Sequence, residues 1–406
     1  MEGLYLDNFR GFSEQYIEIR DVNFLVGENS SGKSSVLIAL NTISSQGFWF
    51  NSEFFSSDTQ IYSFEDLVSA ESQDKSSFKI GYISDDIKFS YLFEFKNNNG
   101  KPIISSGIIK KDKDLFLFFY EKGQVRYKLD KDEGQTLNKI KPLSQKEIAQ
   151  LKTEQAYSNI LVPVMLLQIC ESVIKKRTVL EGMLPIKNFA TIAPIRSKPK
   201  KTYDEPGTLA NSEGDHIPYA IRSIYNNKKP NFINNINSFG IQSGLFKNID
   251  IKEYDNTDDA PFRMNFVLNK EPINIVNIGY GVSQVLPILY NIYAKNSVII
   301  TIQQPEVHLH PRAQAAIGNV FFDSSIGKFK KKFIVETHSD YIIDRFRQQQ
   351  KKSQEKSYVH VLFFLREKGI NKVFSIDIDD NGNYNTNQPK EFRDFFIKEE
   401  LENLGL

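Results

Sequence analysis

The run Gly27-Glu28-Asn29-Ser30-Ser31-Gly32-Lys33-Ser34 has the spacing G-x-x-x-x-G-K-[ST], and Ser35 follows it. These residue types suit the cradling of phosphate groups. Glycine lets the backbone curl so that successive N–H groups point inward, and a helix starting at the loop's end adds its positive terminus. The lysine reaches β- and γ-phosphates, and the serine hydroxyl ligates Mg²⁺. The same residues could form a plain Gly/Ser turn, so the phosphate reading requires a strand before the loop and a helix after it.

A second set of polar residues lies far along the chain. Asn277-Ile278-Gly279-Tyr280-Gly281-Val282-Ser283-Gln284 is a small-residue loop opening onto a helical pattern. Taken alone, Ser283 reads as an N-cap, and the same geometry offers a hydroxyl and backbone N–H groups to an anion. The apolar run Ser297 to Ile302 ends in Gln303-Gln304-Pro305-Glu306, then Val307-His308-Leu309-His310-Pro311; a second run, Phe333 to Val335, ends in Glu336-Thr337-His338-Ser339-Asp340. Polar residues at the carboxyl ends of buried parallel strands sit where open α/β sheets bind ligands. Glu306, His308 and His310 form a weak zinc pattern, because helical ligands recur at three or four positions and no cysteine joins them. Pro311 suits the first turn of a helix instead.

The elements that must position these residues are legible in the periodicity. Residues 3 to 9 and 15 to 20 alternate apolar and polar side chains, Asp21 to Val26 runs apolar into the glycine loop, and Ser34 to Ile43 has helical spacing. That supplies the strand and the helix. Residues 79 to 128 predict an antiparallel meander, with NNNG and EKG as turns. Ser144 to Arg177 reads as helical, with Pro163 expected to kink or split it. Residues 196 to 240 predict loops and short helices. After Ile275 come a helix Val282 to Ala294, a strand Ser297 to Ile302, a helix Arg312 to Phe322, a strand Lys332 to Val335, a helix Tyr341 to Arg347, and strands Tyr358 to Leu365 and Lys372 to Ile378. Such alternation predicts a largely parallel sheet.

Composition bounds the rest. With 406 residues, 40% of them hydrophobic, and 32 Phe, the chain has material for a folded, soluble protein of two lobes. Fifty-one Lys and Arg balance 50 Asp and Glu, which argues against a surface that is a polyanion sink throughout. The lysines at 198, 200 and 201, at 330 to 332 and at 351 to 352 could touch phosphates, although solvated lysine runs are the plainer reading. Cys170, the sole cysteine, excludes an internal disulfide and fits a reducing compartment. The N-terminus is too polar for a signal peptide. The longest apolar stretch, Ile160 to Cys170, is well short of the roughly 20 residues that span a bilayer. No membrane association and a cytoplasmic location are expected.

The blocks LYLDNFRGF, FLVGENSSGKSS, NIGYGVSQVLPILY, IITIQQPEVHLHPRAQ and FIVETHSDYIIDR, in this order, resemble bacterial ABC-type ATPases related to the RecF and structural-maintenance-of-chromosomes proteins and to the ATPase half of the overcoming-lysogenization-defect nucleases. ATIAPIRSKPKKTY and DNGNYNTNQPKEF resemble the family more weakly. The resemblance implies an α/β fold: a P-loop NTPase head with a mixed sheet, an antiparallel β meander in the first lobe and a helical intervening lobe. The implied lobes are 1–135 with Walker A and the meander, 136–275 as the intervening lobe, and 276–406 with the signature loop, Walker B and switch histidine. ATP and Mg²⁺ are the implied ligands. By the same carry-over Gly27, Glu28, Asn29, Ser30, Ser31, Gly32, Lys33, Ser34 and Ser35 hold the phosphates, and Phe9 and Arg10 lie near the base. Gly281, Ser283 and Gln284 belong to the signature loop that meets the ATP of a second copy in a homodimer. Gln303 and Gln304 occupy the positions of the Walker B acid and the catalytic glutamate, with Gln303 beside Ser34 as a metal-site residue. Glu306 and His338, the switch histidine, complete the catalytic set.

This chain departs from the family pattern in two ways. An amide neither brings charge to Mg²⁺ nor accepts a proton, so the two glutamines imply slow hydrolysis. After the switch histidine no Toprim nuclease domain is expected. The implied function is therefore an ATP-dependent switch controlling a separate effector, a nuclease or toxin, in antiphage defence. A repair or recombination ATPase that contacts DNA directly is the alternative, and a transporter subunit fits the blocks less well.

Overall fold

The structure, a computed structural model, describes residues 2–54, 62–84, 88–132, 151–155, 161–182, 189–204, 210–227, 229–255, 257, 260–294, 298–327, 330–386, 388–392 and 394. They divide into two units, one of Met1–Ile19, Gly27–Lys187 and Phe364–Phe374, the other of Arg20–Val26, Asn188–Phe363 and Ser375–Leu406.

In the first unit, β1 (Glu2–Asp7), β2 (Gln15–Glu18), β4 (Ser77–Ser84), β5 (Phe89–Asn98), β6 (Lys101–Lys111), β7 (Asp114–Glu121), β8 (Gln124–Lys131) and β9 (Lys152–Gln155) form an antiparallel sheet in the order β2-β1-β4-β5-β6-β7-β8-β9. The meander expected over 79–128 is its centre. Period-two alternation buries Phe89, Tyr91, Phe93 and Phe95 of β5, as a pleated strand with one covered face requires. After α1 (Lys33–Ile43), the helices α2 (Gln46–Asn51) and α3 (Phe64–Leu67) pack against that face, and the core is largely aromatic: Phe78 stacks on Phe95 at 5.2 Å, Trp49 meets Tyr91 edge-on at 5.7 Å, and Phe64 lies 5.4 Å from Phe78. Helix α4 (Pro163–Ile174) begins at Pro163. Proline does not kink this helix because at the first position its missing N–H has no intrahelical partner to lose. The N-terminal part of the expected helix is strand β9 where it is described, and 144–150 and 156–160 lie outside the described residues. A four-residue helix, α5 (Val179–Gly182), follows.

The second unit holds most of a six-stranded sheet, order β10-β14-β15-β3-β16-β17, made of β3 (Val22–Gly27), β10 (Phe189–Ile192), β14 (Ile299–Gln303), β15 (Lys332–Glu336), β16 (Val359–Glu367) and β17 (Ile370–Asp377); Gly27 and Phe364–Phe374 belong to the first. Strands β10, β14, β15 and β3 run parallel. Helices α6 (Ile217–Asn226), α7 (Pro230–Ser243), α8 (Gly281–Tyr293), α9 (Pro311–Ser325) and α10 (Asp340–Lys352) accompany it, so each helix expected after Ile275 is present within a few residues of its expected ends. The intervening stretch is not wholly helical, because β11 (Asn248–Glu253), β12 (Phe262–Val267) and β13 (Pro272–Asn274) make a small antiparallel sheet. Gly318 of α9 has no room for a side chain, since a Cβ would stand 2.5 Å from the Ile342 carbonyl oxygen of α10. No helix among the described residues is long and apolar enough to cross a membrane.

His360 on β16 ties this sheet together. It is fully buried, with Nε2 2.7 Å from Asn23 Oδ1 and Nδ1 2.8 Å from Ser375 Oγ. Asn23 Oδ1 already accepts the Arg20 N–H, so Nε2 donates to it and Nδ1 accepts from the serine, which satisfies a neutral ring. Burial, and secondarily the charge of Arg20, push its pKa from 6.5 down to about 3. The unfolded chain therefore takes up a proton near pH 6.5 that the fold refuses until about pH 3. Stability present at neutral pH is lost as pH falls through that window, by at most about 1.4 kcal/mol per unit. The wild-type Tm should drop more steeply from pH 6.5 to 4 than that of His360→Gln; parallel curves would contradict this.

Candidate functional site

In the first unit, Gly27–Ser34 forms the loop and α1 starts at its end, while β3 leads into Gly27. The strand and helix that the phosphate reading needs are thus both present. Gly27 (φ 143°) and Gly32 (φ 105°) lie in the left-handed region. A Cβ on Gly27 would meet the Phe364 carbonyl oxygen at 2.2 Å, and one on Gly32 would meet Phe12 Cζ and Asn371 Nδ2 at 2.7 Å, so both conformation and space demand glycine. No side chain caps the N-terminus of the 11-residue α1, which leaves its first turn suited to an anion. Lys33 is only 4% exposed, and its ammonium donates to the carbonyls of Gly27 and Glu28, each at 2.7 Å. The Ser31 hydroxyl also donates to Glu28 O. Glu28, Asn29, Ser30 and Ser34 are exposed, while Ser31 and Ser35 are buried.

The turn around Phe9 and Arg10 separates these two residues. Reciprocal backbone bonds join Phe9 and Phe12, and the Phe9 ring is fully buried 5.6 Å from Phe78. Phe9 is therefore a core residue that anchors the turn, and Arg10 is the one presented. Its Nε donates to Ser35 Oγ at 3.2 Å, its Nη1 to Asp66 O at 2.9 Å, and its guanidinium lies 5.0 Å from the Tyr62 ring centroid. Asn371 of β17 braces the turn, donating its N–H to Gly11 O and its Nδ2 to Arg10 O. Sequence reasoning gave Tyr62 and Asn371 no role, and no local pattern marks them.

In the second unit the parallel strands end level, with Gln303, Glu336 and Leu25 in register. The Gln304 N–H continues the ladder to Glu336 O at 2.8 Å, and Gln304 then turns the chain with φ 45°. Arg196 Nη2 donates to the carbonyls of Gln303 and Gln304 at 2.8 and 3.3 Å. Glu306 turns back onto the next strand end: one carboxylate oxygen accepts from Thr337 Oγ1 and the other from the His338 N–H, both at 2.8 Å. The His338 side chain is exposed. Glu336, 7% exposed and in register with Gln303, is a carboxylate at this edge that sequence reasoning left without a role.

Helix α8 begins at Gly281, so Ser283 is in the first turn and not the N-cap. Its hydroxyl donates to Tyr280 O at 2.8 Å, and it is 8% exposed. Gln284 is buried. A Cβ on Gly281 would come within 2.9 Å of His308 O, so this glycine lets the helix start pack on the loop after β14. Tyr280, by contrast, is 42% exposed, with its ring 5.4 Å from that of His308.

A family model described as an AAA ATPase domain matches residues 1–182 and 198–343. The chain belongs to the AAA ATPase domain family. No match is found among curated proteins. Solved structures similar to this AAA ATPase domain include the head domain of SMC from Thermotoga maritima, at 13% identity, 93% of this chain and 98% of that one covered, and a TM-score of 0.40. An SmcHead bound to the C-winged helix domain of ScpA is 12% identical, with 93% and 97% covered and a TM-score of 0.49. An Smc head domain with an extended coiled coil, bound to the C-terminal domain of ScpA derived from Pyrococcus furiosus, is 13% identical, with 93% and 97% covered and a TM-score of 0.44.

Membership in the AAA ATPase family makes ATP the substrate, and the loop's chemistry suits it. A bound Mg²⁺ would supply positive charge to offset that of the phosphates. The exposed Ser34 hydroxyl has the oxygen chemistry of a ligand for it. Lys198 and Lys200 line a cavity of 240 Å³ together with Glu213 and Asp215, Asp215 is held below the usual carboxylate range by Ser197 and Asn211 with help from Lys200, and Lys330 pairs with Asp21 at 3.2 Å.

Proposed function

We propose that this AAA ATPase is a slowly hydrolysing, ATP-dependent switch whose copies pair through their nucleotide faces and control a separate effector protein. The observation that carries this reading is the strand end at Gln303 and Gln304, where two neutral amides stand and the nearby Glu306 carboxylate is engaged by Thr337 and His338. A site that holds nucleotide but lacks an available base retains ATP, and a long-lived bound state is what a switch needs. In this reading Lys33 and the loop N–H groups hold the phosphates and Arg10 with Tyr62 receives the base. Ser34 serves Mg²⁺, and the first turn of α8, with Ser283, faces the phosphates of a second copy. The resemblance of the motif blocks supports a nuclease or toxin as effector, in cytoplasmic antiphage defence. Direct DNA binding draws less support, because several of its lysines have carboxylate neighbours.

Pairing is tested by sizing and by cross-linking near Ser283, with and without ATP and Mg²⁺. ATP should strengthen association of the wild type. Ser283→Arg should weaken it by about thirty-fold or more, as expected for an interface residue worth ~2 kcal/mol. A wild type that stays monomeric with ATP at micromolar concentration would overturn the pairing.

A further inference from the structure

Arg196 follows β10 in a loop and is 3% exposed. Its Nη2 serves the two glutamine carbonyls, yet its Nε and Nη1 are buried without hydrogen-bond partners. A buried guanidinium with open donors is unfavourable unless a counter-charge stands near. That charge is Glu306, which opposes the burial that pulls the Arg196 pKa down to about 10. No ion pair joins them, because both carboxylate oxygens are held by Thr337 and His338. Glu306 thus occupies one set of donors, while Arg196, bonded to the carbonyls two and three residues before it, keeps two buried donors open.

The loop carrying Glu306 is held by unfavourable backbone conformations and borders open space. Gln304 and His308, on either side, both hold left-handed conformations (φ 45° and 62°), which are unfavourable for side-chain-bearing residues. Beside the loop lies a cavity of 470 Å³ lined by Arg196, Lys198, Tyr280, Gln284, Val307 and His308. We propose that Arg196 is a positioning residue for hydrolysis: it fixes the carboxyl end of β14 and offers Glu306 a second seat, so that the carboxylate passes between His338 and the guanidinium and releases the His338 loop as it goes. The hydrolytic part of this rests on the ATPase reading above; the carboxylate movement does not.

The test uses the full chain and hydrogen exchange at the His338 amide without nucleotide. Thr337→Val weakens the first seat, so exchange should rise about tenfold. Adding Arg196→Gln removes the second seat, which should return the carboxylate to His338 and slow exchange again. Arg196→Lys, which retains the charge and is the milder change should Arg196→Gln not fold, should fall between. Separately, Arg196→Gln should lower kcat about 10- to 100-fold with KM changed less than about twofold, and Arg196→Lys should recover part of the loss. Exchange in Thr337→Val that is indifferent to residue 196 would overturn the carboxylate movement, and an unchanged kcat would overturn the positioning role. A wild type that turns over no ATP would defeat the hydrolytic reading, while the exchange comparison would still decide the movement.

Discussion

Lys33→Ala is expected to lower kcat/KM for ATP by about 10²- to 10³-fold, the usual consequence of removing one preorganised donor from developing phosphate charge. The ammonium is buried and donates to the carbonyls of Gly27 and Glu28, so it already lies across the loop that would enclose phosphate. Alanine removes the charge that attracts the triphosphate and the donors that brace the curl. The fold should persist, because α1 remains anchored by Val36, Leu37, Leu40 and Ile43. Titration with a fluorescent ATP analogue and steady-state phosphate release check this. Wild-type affinity in the variant would mean that the nucleotide lies elsewhere.

Gln304→Glu should raise kcat, by roughly 10²- to 10⁴-fold if a missing general base is what limits the wild type. The carboxamide can orient water but cannot take its proton. Two hydrogen bonds pin the backbone at this position, one to Glu336 O and one from Arg196, so the new side chain would start from the same place. Residue 304 is only half-buried, which keeps the penalty for a carboxylate modest. Glu306→Gln is the companion measurement. It should slow the wild type further, because an amide holds the Thr337 and His338 donors less well than a carboxylate. Rapid wild-type turnover that neither substitution alters would sink the slow-switch reading.

Local patterns in the sequence were reliable where structure and chemistry share a short window. Val22 to Ile43 shows strand, loop and helix in succession, and the helices of the second unit declare themselves by spacing. Pro163 was ambiguous because proline serves equally inside a kink or at a helix start, and only the packing of α4 decides. Strand β9 has no strong pattern of its own and exists because β8 offers an edge. The missed site residues share one property: their partners are distant in sequence. Arg196 acts on the carbonyls of residues 303 and 304, and Asn371 on those of residues 10 and 11. Backbone carbonyls have no residue type, so such contacts leave no trace in composition or motif.

The order of strands in the six-stranded sheet also governs when the protein can come into being. Strand β3, made of residues 22–27, lies between β15 and β16, whose residues begin at 332 and 359. Ribosomes add about 5–20 residues per second, so β3 emerges on the order of tens of seconds before either neighbour. During that interval its backbone has neither native strand beside it, although Val22, Phe24, Leu25 and Val26 are all buried in the finished sheet. Closing contacts over such sequence separations is slow, and an uncovered apolar strand is prone to pair with other chains. Recovery of the folded protein should therefore depend on how long β3 stays uncovered more than on the stability of the completed molecule.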